Sequence, residues 1–324
     1  VFGPASLLAA LTPLLLGFTP GPASVPNHHP LYIGLLVPPP SSASPVDRTV
    51  WSVAFDHTNI FLLMADRTWS VHQDMELTAA TVTGRFPLGE GVEAGFSAPL
   101  YYQSGGFTDG AIRWWHDVIG VPGYAGQDRY GDDRYANTLY RSGVRMIDPR
   151  PYEPAPGDVT VWVKGTVREG EGYVVSGELY WQLPTGVSSA GMGNGAHEGA
   201  VRIVGAVDGP AGSRFTGGAG VSIPQRLKGF RGEAELSAMA LWFGAVEAPF
   251  PRSDRWSLLL QSQGNTSPLP GALGHPYARP FTEATVGFRY RGGEAEAPRW
   301  WTVALSENLN QTNPDYTLHL SVEW

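Results

Sequence analysis

The places where this sequence of 324 residues could do chemistry are few. His116 stands beside Asp117 in DGAIRWWHDVIG, a pairing that resembles a base and its orienter. Ile112, Trp115 and Ile119 of that stretch recur at helical spacing. Adjacent residues on a helix do not face each other, so His116 and Asp117 do not form a catalytic dyad. His319 and Ser321 are two residues apart near the C-terminus and would share one face of a strand. His28 and His29 are adjacent, and no His-x-x-x-His pair or carboxylate triad accompanies them, so no metal site is expected. QDRYGDDRY offers Asp128, Asp132 and Asp133, but alternation with Arg makes it self-neutralising and without the oxygen spacing of a calcium loop. GGAG and GMGNG lack the Gly-Lys-Ser/Thr ending of a phosphate loop. Neither a catalytic residue nor a cofactor is expected.

Composition narrows the classes further. Net charge is -8 with a sequence pI near 5.5, which argues against a nucleic-acid surface. With Cys at 0 there is no disulfide framework, thiolate nucleophile or Cys-based metal site. Gly is 41, Pro 28 and Trp 11, and Arg carries most of the positive charge. LLAALTPLLLGF, residues 7–18, has the length of an export-signal apolar core, followed by the small residues of GPAS. Residues 1–24 are therefore expected to be a signal peptide, without its usual basic start. Beyond it no apolar run is long enough for a spanning helix.

The elements that must position these residues are strands. Period-two alternation recurs: Trp51, Val53 and Phe55 against Ser52, Ala54 and Asp56; Val92, Ala94, Phe96, Ala98 and Leu100 against Glu93, Gly95 and Ser97; Tyr173, Val175, Leu179 and Trp181 against Ser176, Glu178 and Gln182. The last residues, YTLHLSVEW, alternate without a break to the final Trp324. The pattern predicts about 12 strands, within the range of closed outer-membrane barrels. The predicted spans are 49–59, 74–86, 92–103, 158–168, 173–183, 198–208, 213–223, 232–246, 255–264, 281–291, 299–308 and 315–324.

The connections discriminate between a barrel and a soluble sandwich. PLGEG, REGEG, DGPAG, EAPFPRSD and RGGEAEAP are short and follow even-numbered strands. Longer links follow odd-numbered ones, the longest being 104–157. Short turns at one end and long loops at the other are the outer-membrane pattern. The expected class is thus all-β: an antiparallel transmembrane barrel over 49–324, preceded by a segment 25–48 that is periplasmic or inside the barrel. The closing strand leaves no edge in lipid, and Trp324 suits the membrane interface.

Several stretches resemble a family of bacterial outer-membrane barrels known only as a domain of unknown function. SGGFTDGAIRWWHDVIGVP, residues 104–122, is similar to its long-loop motif S-G-G-F-x-D-x-x-I-x-x-W-H-x-x-F-G-L-P. Ile119 and Val121 depart from it conservatively. PGDVTV with LYWQLPTG is similar to a pattern of that family and of barrels linked to phenol and hydrocarbon degradation. NHHPL, SENL and NPDYTLHL resemble the family's N-terminal motif and last hairpin. The end of the chain resembles the signal read by the barrel-assembly machinery, with Trp where Phe is usual and His319 where Gly is frequent. The resemblance implies a fold and a place, the bacterial outer membrane with its lipid and lipopolysaccharide, and no established activity.

Two sets of residues follow as candidates. The long loop is expected to fold into the mouth as a constriction or solute contact, through Phe107, Asp109, Ile112, Trp114, Trp115 and His116; a loop that only caps the rim is the alternative. The polar face, with Glu93, Lys164, Glu178, Arg202, Glu283, Arg289 and His319, is expected to line the lumen. The expected function is a passive, porin-like channel or binding protein for a small solute, apolar solutes included. The alternative is a closed structural or interaction barrel presenting its loops. A lipid hydrolase of the barrel type ranks below both. It needs Ser, His and an orienter at the lipid-facing surface, whereas His319 and Ser321 point inward and AHEGA has neither Ser nor Asn.

Overall fold

A computed structural model describes residues 21–119, 132–253, 255–269, 279–294, 297–309 and 316–324. Residues 1–20 of the expected signal peptide lie outside the described residues, as do the side chains of Trp115, His116 and Ile119, whereas its last four, 21–24, lie against the barrel wall with the segment that follows.

Twelve strands close into an antiparallel barrel. They are β1 (Val50–Ala65), β2 (Trp69–Gly89), β3 (Val92–Ser104), β4 (Val159–Gly170), β5 (Tyr173–Leu183), β6 (Glu198–Asp208), β7 (Arg214–Ile223), β8 (Met239–Pro249), β9 (Trp256–Asn265), β10 (Phe281–Glu294), β11 (Ala297–Asn308) and β12 (Tyr316–Glu323). Each pairs with the next. β12 closes on β1 in a register that runs from Ser52 opposite Glu323 to Asn59 opposite Tyr316. Closure satisfies every strand edge, which an open sheet in lipid could not do.

The alternation has one physical outcome throughout. Phe55, Val163, Leu179, Val201, Leu260, Val286, Phe288, Val303 and Leu320 point outward and are exposed. Their neighbours Asp56, Lys164, Glu178, Arg202, Gln261, Thr285, Thr302 and His319 point inward and are buried. A soluble sandwich would reverse these faces. Trp51, Trp181, Trp256, Trp301 and Trp324 also lie exposed on the outside, as suits an interfacial aromatic. The short turns use left-handed glycines where the hairpin demands positive φ: Gly91 at 67° between β2 and β3, and Gly172 at 74° between β4 and β5.

Two predicted boundaries are corrected. β1 and β2 run past the barrel as one long hairpin, paired as far as Ala65 with Ser70, so only residues 66–68 link them. The extension is held because 69–74 of β2 pairs with the strand Ala136–Arg141 of the long loop. The predicted strand 232–246 is two pieces. Glu233–Glu235 pairs back onto Arg226–Lys228, and β8 begins only at Met239. The tight turn at 229–232, closed by Gly229 N donating to Gly232 O, takes that first piece away from the wall. The helix of the long loop is α1 (Asp109–Ile119).

Candidate functional site: the occupied lumen

Residues 21–48 run through the barrel. They enter beside β8 and β10 at the short-turn end, turn near 29–37 at the long-loop end, and descend to β1. No regular strand or helix forms here, so the main-chain polar groups need other partners. The sequence solves this in two ways. Pro22, Pro26, Pro30, Pro38, Pro39, Pro40 and Pro45 have no N–H to satisfy. The carbonyls accept from wall side chains: Gln261 Nε2 donates to Ala23 O at 3.1 Å and Gln263 Nε2 to Val25 O at 3.0 Å. On the descending arm, Gln182 Nε2 donates to Gly34 O and Lys164 Nζ to Ser42 O, both at 2.8 Å, and Ser176 Oγ to Ala43 O at 2.6 Å. Wall carboxylates take remaining N–H groups. Glu247 accepts from Gly21 N, Glu198 from Leu36 N and Glu93 from Val46 N.

One guanidinium is the centre of the descending contact. Arg202 Nε donates to Glu178 Oε2 at 2.7 Å, and Nη1 donates to the carbonyls of Pro38 and Pro39. Nη2 reaches Ser41 Oγ at 3.0 Å and the Tyr180 hydroxyl at 2.7 Å. The guanidinium also lies over the rings of Tyr180 and Phe243. Lys164 sits 3.4 Å from Glu93 and 3.3 Å from Glu178, so two cations and two carboxylates compensate one another in a dry wall. Arg289 bonds Glu247, Gly21 O and Pro22 O. Glu283 is buried and accepts from Gln263. The lumen-facing set is thus tied to the plug directly or through one neighbour.

The long-loop end is closed by apolar packing. Leu31, Tyr32 and Leu35 of the turn pack with Leu62, Trp69 and Val71 of the extended hairpin, Leu139, Met146 and Ile147 of the long loop, Leu227 and Phe281. Beside this cluster a gap lined by Leu31, Ile33, Gln73, Gln103 and Asn137 measures about 20 Å³, room for about one water.

At the seam, Asp56 on β1 lies opposite His319 on β12. His319 Nδ1 is 2.6 Å from Asp56 Oδ1, and His28 Nε2 of the plug is 3.1 Å from Asp56 Oδ2.

The described residues of the expected constriction, Phe107, Asp109, Ile112 and Trp114, are located elsewhere. Glu76 and Asn59 are opposite each other on the face that carries Phe55, which is the outside of the barrel. Glu76 Oε1 accepts from Phe107 N at 3.0 Å and from Thr108 N at 2.6 Å. Asp109 accepts from Asn59 Nδ2 at 2.9 Å and from Asp133 N at 2.8 Å. Phe107, 77% exposed, stacks on His57, and Trp114 is 65% exposed. Ile112 is buried. Arg113 hydrogen-bonds Asp132 on the loop's surface and holds its carboxyl below the usual range. The described start of the loop therefore clasps the outer face of the β1–β2 hairpin and does not enter the lumen. The contact is electrostatic: the loop's free amides sit where an outward carboxylate accepts them.

Sequence reasoning missed Asp56, Glu198 and Glu247, and it left the segment 25–48 open between the periplasm and the barrel interior, where it lies. A signal for the plug was present. From Gly21 to Val46 there is no Asp, Glu, Lys or Arg, an unusual run for a segment exposed to water.

The sequence from 4 to 324 matches the model of a family described as a protein of unknown function, DUF3187. The chain belongs to this family. A search of curated proteins finds no match. Among solved structures, the DUF3187 chain is similar to an outer-membrane channel of Pseudomonas putida F1 at 12% identity. That alignment covers 88% of this chain and 98% of the other, with a TM-score of 0.58. A Pseudomonas aeruginosa FadL homologue aligns at 11% identity over 95% of this chain and 99% of its own, with a TM-score of 0.42. The first likeness shows the fold, an outer-membrane-type barrel. The second is too loose to add to it.

Proposed function

We propose that this DUF3187 protein is an outer-membrane channel or binding barrel for a small solute, closed at rest by residues 21–48. The observation that carries the reading is the chemistry of the plug's attachment. It is held mainly by side chains of Gln, Arg, Lys, Ser and Glu on a polar wall. Water can replace each of those contacts, so the wall stays solvated if the plug moves. The outward apolar belt and the aromatic C-terminal strand support outer-membrane lipid, lipopolysaccharide and the assembly machinery as its surroundings and partners.

The second reading, a closed barrel with an interaction role, is favoured by the apolar seal over the turn at Leu31, Tyr32 and Leu35. Planar-bilayer conductance and liposome swelling separate the two. The channel reading expects low conductance from the whole chain and a clear rise when residues 21–46 are deleted. A folded deletion variant, checked by heat-modified gel mobility, that conducts no better than the whole chain would leave only the closed barrel.

A further inference from the structure

His319 and Ser321 lacked an orienter in the sequence, and barrel closure supplies one. Asp56 comes from the opposite end of the chain, across the β1–β12 seam. Its Oδ1 is 2.6 Å from His319 Nδ1, and His319 Nε2 is 3.0 Å from Ser321 Oγ. Asp56 and His319 are each 1% exposed, whereas Ser321 is only half-buried, nearer the short-turn mouth. The order is that of a nucleophile, its base and the base's orienter, with the nucleophile outermost.

We propose that Ser321 is a nucleophile toward carboxylic esters that enter the lumen from the short-turn end, with His319 as general base and Asp56 as its positioning residue. This goes beyond the channel reading and does not depend on movement of the plug. Three observations support it beyond the distances. Asp56 Oδ2 faces His28, so the carboxylate is held from both sides and fixes the imidazole's tautomer through Nδ1. The residues opposite Ser321 on its two neighbouring strands are Ala54 and Thr302, both small. Thr302 Oγ1 accepts from Arg289 Nε at 3.3 Å, which leaves the hydroxyl's own hydrogen to donate on the strand beside Ser321, and we assign to it the anion that develops on the acyl oxygen.

The chemistry is acyl transfer. Ser321 Oγ bonds to the ester carbonyl carbon as His319 Nε2 takes its proton. The carbon–oxygen bond to the alcohol breaks, and the departing oxygen receives that proton. Water, deprotonated by the same nitrogen, then attacks the acyl-serine and releases the carboxylic acid and free Ser321.

The test uses the whole folded chain in detergent micelles with a fluorophosphonate probe and with p-nitrophenyl butyrate. Peptide mass spectrometry should find one phosphonylated serine, Ser321. Labelling and ester turnover should vanish in Ser321→Ala, a change small enough to leave the barrel folded. In His319→Gln both should fall by roughly 10²–10⁴-fold, the typical share of a general base. In Asp56→Asn the rate should keep rising with pH where the wild-type rate levels off, which a loss of packing alone would not produce. A folded wild-type barrel left unlabelled, a label on another serine, or equal labelling in a folded His319→Gln variant would each overturn the proposal.

Discussion

The plug, residues 21–48, and the loop that carries α1 are the two segments that could have filled this barrel. Both are apolar-rich and both turn back on themselves. One lies inside and the other clasps the outside. The plug up to Val46 carries no charged side chain, whereas the stretch 105–119 carries Asp109, Arg113 and Asp117. The plug presents carbonyls to wall donors such as Gln261, Gln263, Lys164 and Arg202. The loop presents amides to Glu76, which points outward. Plug amides find carboxylates too, at Glu247, Glu198 and Glu93, but on the inner face of the wall; the two segments thus differ in their own charge and in which face of the wall offers their partners.

The strongest way to break this comparison is a pair of deletions. Removing residues 21–46 should raise bilayer conductance several-fold, while replacing 107–119 by a short Gly-Ser bridge should leave it near the wild-type value. The strands around the bridge still pair, because loop length adds little to closure cost. Equal responses to the two deletions would return the loop to the lumen.

The next largest effect is expected at Glu178. Glu178→Ala leaves Lys164 and Arg202 buried with less than their compensating charge. Breaking a buried pair in this way costs about 3–5 kcal/mol. The measurement is the urea midpoint of the folded, heat-modified gel band, and an unchanged midpoint would mean the wall is wet. Leu320→Arg, on the outward face, should cost about 2–4 kcal/mol if the site is near the bilayer midplane. The same assay in lipid checks this value, and a loss seen only in detergent would misplace the belt.

Smaller effects belong to the outer clasp. Glu76→Gln weakens its acceptance of Phe107 N and Thr108 N. Hydrogen exchange at 107–112 should speed up while conductance stays the same. The smallest effect is that of Asp132→Asn. It removes one exposed pair with Arg113, and no change in the unfolding midpoint is expected. A measurable loss there would show that the loop's surface contributes more to its docking than the Glu76 clasp does.

Most of the wall was legible in the sequence because a strand's side-chain period is local: Glu93, Lys164, Glu178, Arg202 and Glu283 alternate with apolar neighbours, and that alone groups them on one face. The turn parity between short and long links was equally local. The hairpin beyond Asn59 was not legible, since Ile60, Phe61, Leu62 and Leu63 form a continuous apolar run with no alternation to mark a strand.

By itself the sequence determined the strand class, about the right number of strands and which residues share a face, because each depends on periodicity within ten or so residues; link parity and the export signal, not periodicity, pointed to a closed barrel with the polar face inside. Only the tertiary structure decided what fills the lumen, where α1 docks and which carboxylate meets His319. Gly21 and Glu247, Arg202 and Pro39, or Asp56 and His319 are 226, 163 and 263 residues apart. No local pattern encodes such pairs. They form because ring closure brings the first strand to the last and because a buried carbonyl, amide or imidazole must find a partner once water is excluded.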